Sequence, residues 1–306
     1  MQWLSTRRVD LAWLCAFGIA SSVWCLTASA RLGATFDEPF YIKAGLETWR
    51  SASNKPLMRS GVMTLPTDVQ TLPIFVWERL RGHPFDPVEE LHTVLPVARA
   101  MNLVFWWLLL LYAMRMGRTF GSAWGGRLAV TLAACDPNLL GHATLATTDI
   151  ASTACLFVLI YHFWHGLGFD WKRRVLVPGL CYALAIQAKA SGMVYGMEAM
   201  LVLGLWHCAR RGELRFSSGG LWQQFVQLWH ATYPLRKDLA WIAAIGFACA
   251  FLYTGSDWKA EPGFVKWAEG LPEGNLKSSM VPLSHHLTMF TPPRTVPQPE
   301  DQHRLH

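Results

Sequence analysis

The chain has 306 residues, 52% of them hydrophobic and 16% charged, with a formal net charge of +6, against about 25% charged residues in an average soluble domain. This balance argues against a soluble globular domain, and 16 tryptophans suit a protein with repeated membrane interfaces. The positive charge needs no nucleic-acid partner, because basic residues beside apolar runs are met by anionic headgroups.

A membrane-spanning helix needs about 20 mostly apolar residues. The first run, residues 11–30, follows Arg7 and Arg8 and ends in Ala28-Ser29-Ala30, the outline of a cleavable signal peptide. Its length, Trp13 and Trp24 predict an uncleaved anchor instead. A long polar segment, residues 31–96, comes next and opens with Thr35-Phe-Asp-Glu-Pro-Phe-Tyr41. Asp37 and Glu38 then have two readings. Beside an apolar surface, desolvation and mutual repulsion tune one carboxyl toward a base. Alternatively the pair starts a solvated helix, with Asp37 as N-cap and Pro39 just inside.

Residues 97–114 and 125–135 are the second and third apolar runs, the latter short. Arg99, near the start of the second, reads either as a partner for an acidic group or as a side chain reaching the interface. Residues 136–149 hold His142 and end at Asp149, itself a good N-cap for the fourth run, 150–167. His162 and His165 read as interfacial residues and not as metal ligands. The fifth and sixth runs, 175–188 and 192–208, are joined by a turn too short to carry Lys189 far into water. Lys189 is placed to pair with Asp37, Glu38 or Asp149, or else simply reaches the interface. Residues 209–238 contain an amphipathic stretch around Trp222, Phe225 and Trp229, read as a helix lying on the inner leaflet or packed in the cytoplasm.

The seventh run is 239–254, and residues 257–306 form a polar, Pro-rich tail whose last fifteen or so residues are expected to be disordered. Short basic loops put the N-terminus in the cytoplasm. The fold expected is thus an all-α, multi-pass bundle of about seven transmembrane helices within residues 1–256. The seven cysteines lie in or at the ends of the apolar runs without CxxC spacing and read as packing residues.

Asp37-Glu-Pro-Phe-Tyr41, the segment from Pro137 through His142 to Asp149, and Lys189-Ala-Ser-Gly192 together resemble the membrane-embedded C-type glycosyltransferases, close to protein O-mannosyltransferases and lipid A aminoarabinose transferases. That resemblance covers roughly residues 11–200. It implies a helical first outside loop and transfer of a sugar from a polyprenyl-phosphate donor to an acceptor hydroxyl on a protein or lipid. By it, Asp37 is the base, Glu38 assists, Tyr41 and Lys189 lie near the donor phosphate, and His142 and Asp149 line the cavity. Family members are generally longer, so the alternative is a truncated, non-catalytic membrane protein that binds a lipid phosphate or a partner. A small-solute transporter is a third reading, against which no inverted repeat is evident. No cofactor is required by any motif, and a divalent cation near Asp37 and Asp149 is left open without recognisable ligand spacing.

Overall fold

In the computed structural model the described residues, 2–54, 57–58, 61–212, 220–254 and 267–287, fold into an all-α bundle. In chain order the helices are α1 (Gln2–Ser29), α2 (Glu38–Ser51), α3 (Leu65–Arg81), α4 (Leu91–Cys135), α5 (Pro137–Ala143), α6 (Asp149–Gly166), α7 (Val177–Ala188), α8 (Gly192–Arg210), α9 (Leu221–Ala231), α10 (Tyr233–Thr254) and α11 (Asn275–Leu287). A π-helical turn, Lys172–Leu176, leads into α7.

Helix α4 covers 45 residues but is not one rod. Gly121 (φ −133°, ψ 26°) and Ser122 (φ 59°, ψ −158°) leave helical geometry, and the chain folds back on itself there. A Cβ on Gly117 would overlap the Gly125 carbonyl oxygen, and one on Gly125 would meet the Gly117 carbonyl. The two arms therefore approach backbone to backbone, which only glycine allows.

The main core runs through α1, α4, α6, α7, α8 and α10 and is filled by Trp106, Leu110, Leu159, Phe163, Tyr182 and Ile242. Helix α6 packs on α4, α7 and α8, and α7 also packs on α10. A second, smaller core sits where α2 and α3 cover the start of α4, with Ile42, Leu46, Ile74, Phe85 and Val94 buried. The Arg99–Glu38 pair, the bonds of Arg99 to the Ser29 and Leu32 carbonyls, the Glu38–Ala146 bond and the Lys189–Asp149 pair put the end of α1 and the starts of α2, α4, α6 and α8 at one end of the bundle. The turns after α6 and the last turn of α8 share the other.

The bundle of seven spans expected from the sequence is corrected by these helices. Arg8–Ser29 and Leu91–Cys135 are long and apolar enough to cross a membrane, the second being the hairpin, and no other described helix is. The reasons are local. Helix α7 has 12 residues, and runs of about 10–14 apolar residues are more often buried core helices than spans. Asp149 opens α6 and His162 and His165 lie within it, Glu198 and His207 lie within α8, and the first two turns of α10 carry Arg236, Lys237 and Asp238. The multi-pass location and cytoplasmic N-terminus inferred from those spans lose their basis with them.

The aromatic stretch of 209–238 is helical as α9, and Trp222, Phe225 and Trp229 are exposed and stacked along it. The expectation of a disordered terminus falls on residues outside those described.

Candidate functional site

The Asp-Glu dipeptide is divided by the start of α2. Glu38 points inward and is completely buried. Its carboxylate accepts from Arg99 Nε (2.8 Å) and Nη2 (2.7 Å) and from the backbone amides of Thr35 (2.8 Å) and Ala146 (2.7 Å). Arg99 spends its remaining donors on the carbonyls of Ser29 (2.9 Å), Leu32 (2.9 Å) and Gly33 (2.7 Å) just past α1. Burial alone would raise the Glu38 pKa, but Arg99 and the two amides outweigh it and hold the carboxyl below its usual value.

Asp37 faces out. It occupies the N-cap position of α2, yet its side chain makes no capping hydrogen bond and its carboxylate is exposed. One turn on, Tyr41 is half-buried, and its hydroxyl is pushed up to about 12 by burial and then by the charges of Asp37 and Asp149. Tyr41 thus sits in the field of both carboxylates.

Asp149 opens α6 and Lys189 closes α7. Helices α6 and α7 are antiparallel neighbours, which brings the start of one beside the end of the other. Lys189 is extended (φ −162°, ψ 141°), and the chain turns so tightly into α8 that a Cβ on Gly192 would overlap the Ala185 carbonyl oxygen. From there Lys189 Nζ donates to Asp149 Oδ1 at 2.7 Å. The other oxygen, Oδ2, is 3.4 Å from His142 Nδ1 and 3.4 Å from the Thr147 hydroxyl. Burial raises the Asp149 pKa, but the hydrogen bond and charge of Lys189, then His142 and Thr147, outweigh it and the carboxyl lies below its usual value.

The loop that carries His142 and Thr147 is pinned from below. Glu38 takes the Ala146 amide, Asn102 Nδ2 donates to the Leu145 carbonyl (2.8 Å), and Gln70 Nε2 donates to the Thr147 carbonyl (2.9 Å) and to Asn102 Oδ1 (3.1 Å). Sequence reasoning passed over both amides. Asn102 had a signal, as an amide in the apolar run 97–114, whereas Gln70 lies in a mixed helix and had none.

The six residues singled out from the sequence therefore gather at one end of the bundle, in two settings. Asp37, Tyr41, His142, Asp149 and Lys189 form an accessible polar cluster, while Glu38 lies beneath it, saturated by hydrogen bonds. The cluster can accept hydrogen bonds at Asp37, offer a hydrogen bond from Tyr41, and stabilise negative charge at Lys189. Among the described residues no group of three or more His, Cys, Asp or Glu side chains is arranged to hold a metal ion.

No protein family, no curated protein and no solved structure matches this chain. The resemblance to membrane-embedded glycosyltransferases is corrected accordingly, since neither a family match nor a bundle of many spans accompanies it. The assignments drawn from it fall as well: enzymatic sugar transfer, a polyprenyl-phosphate donor with a protein or lipid acceptor, and lipid-phosphate binding at a membrane face. The transporter reading shared the same expected architecture and is corrected with it.

Proposed function

We propose that the accessible cluster binds a small solute carrying a cationic amine. The observation that carries this reading is an imbalance of charge around Tyr41. Asp149 is matched by Lys189, whereas the exposed carboxylate of Asp37 makes no ion pair among the described residues. Asp37, Asp149 and Lys189 sum to −1, and a carboxylate favours an opposite charge within about 4–6 Å. Arg99 does not supply it, because its guanidinium is consumed by Glu38 and three carbonyls. An ammonium group would sit against Asp37, with the Tyr41 hydroxyl and Asp149 available to polar groups of the same solute.

Calorimetric titration of the purified full chain with ethanolamine, putrescine and acetate tests the reading. The amines bind and acetate does not, and Asp37→Asn weakens amine binding at least tenfold. Equal binding of acetate, absence of binding by both amines, or amine binding unchanged in Asp37→Asn overturns it.

A further inference from the structure

At the opposite end of the bundle, Met116 and Phe120 of α4, Phe157, Ile160 and Trp164 of α6 and Leu203 of α8 line an apolar groove of about 240 Å³. A cavity of about 150 Å³ lined by similar side chains admits benzene. This groove therefore has room for a benzene-sized body and a short chain.

Beside Trp164, one of its lining residues, stands a polar and incompletely partnered side chain. His207 meets the Trp164 ring edge-on, with 6.1 Å between centroids. Its Nε2 is buried and has no hydrogen-bond partner among the described residues, a condition that is unfavourable unless a ligand or water relieves it. Trp164 stacks on Trp206 at 5.2 Å, and the Arg210 guanidinium lies 5.5 Å from the Trp206 ring centre. Leu203, Trp206, His207 and Arg210 fall at i, i+3, i+4 and i+7, one face of α8. One helix face thus runs from apolar lining to an unpartnered ring nitrogen to a cation.

The charge of this end specifies the other half of the ligand. Asp10 is held by Arg118 and Arg127, and Asp238 by Arg174. Arg210 has no carboxylate partner among the described residues, and neither do Arg115 and Arg173, whose guanidinium groups lie over aromatic rings. We infer that the groove is a binding site for a small arylalkyl carboxylate. Its ring occupies the space between Phe120, Phe157 and Leu203, and its carboxylate accepts from His207 Nε2–H and pairs with Arg210.

Titration of the purified full chain with 4-phenylbutyrate, 4-phenylbutanol and 4-phenylbutylamine, read by tryptophan fluorescence and calorimetry, separates the apolar and anionic contributions. The carboxylate binds at least tenfold more tightly than the alcohol, and the amine binds most weakly. Leu203→Trp fills the groove and abolishes binding of all three. Arg210→Glu, an exposed change that spares the core, weakens phenylbutyrate at least tenfold and strengthens the amine. His207→Phe keeps the ring and brings the carboxylate down toward the alcohol. Three probes binding alike, no binding of phenylbutyrate, or phenylbutyrate bound by Arg210→Glu as by the unsubstituted chain overturns the proposal.

Discussion

Glu38 and Asp149 both lie below their usual pKa at the same end of the bundle, one in a sealed setting and the other in an open one. Glu38 and Arg99 are 0% and 2% exposed at their side chains, and every oxygen and nitrogen of the pair is engaged. Asp149 and Lys189 are 37% and 44% exposed, and the carboxylate of neighbouring Asp37 makes no ion pair among the described residues. The sealed pair joins α1, α2, α4 and the loop before α6, so its chemistry is spent on holding elements in place. The open pair leaves polar atoms for another molecule. Two acidic residues adjacent in sequence, Asp37 and Glu38, thus belong to different parts of the protein's work.

The sharpest way to break that contrast is Arg99→Ala. It strands a buried carboxylate and three carbonyls, so a loss of about 3–5 kcal/mol in a denaturant titration is expected. A loss below about 1 kcal/mol would place the sealed pair in the same class as the open one.

A third carboxylate tests whether burial or partnering decides. Asp68 on α3 is buried like Glu38 but pairs with no cation among the described residues, and Tyr253 donates to its Oδ2 at 2.7 Å. Burial raises its pKa from 3.8 to about 6 against the hydrogen bonds of Tyr253 and Thr64. Between about 4 and about 6 the folded chain holds a proton that the unfolded chain releases, so this group's contribution to stability is full below that window and is lost as pH rises through it. At about 1.4 kcal/mol per pKa unit the loss is on the order of 3 kcal/mol. Melting temperatures from pH 4 to pH 8 should show it, with the slope flattened in Asp68→Asn. Glu38 has the opposite sign, its pKa being depressed: its contribution is full above the ordinary glutamate range and fades as pH falls through its own lower pKa.

The smallest effects are expected in the open cluster. Lys189→Ala should cost about 0–1 kcal/mol, as half-exposed ion pairs do. Asp37→Asn should change stability by less than about 0.5 kcal/mol in the same titration. A larger loss at Asp37 would move it from ligand binding into the framework.

Helix content was legible from the apolar runs, and a Lys189–Asp149 pair was one of several pairings that the short turn left open. Arg99 was legible as a residue in need of an acidic partner, but Glu38 lies 61 positions away and Ala146 lies 108 positions from Glu38. No local pattern encodes such a pairing. The expected spans failed for a different reason: a run of apolar residues looks the same whether its surroundings are lipid or other helices. In α7, Tyr182 and Ile186 are buried against neighbouring side chains, and 12 residues suffice for that purpose. The groove residues were invisible because Met116, Phe157 and Leu203 come from three helices and carry no polar signature.

The hairpin within α4 bears on how the chain finds its fold. Its arms meet through residues only eight positions apart, Gly117 and Gly125, so closing it requires a short loop and little loss of chain entropy. The Glu38–Arg99 pair must instead close a loop of more than sixty residues. The hairpin is therefore expected to assemble early and the sealed pair late, giving the bundle a nucleus at the end farthest from its polar cluster.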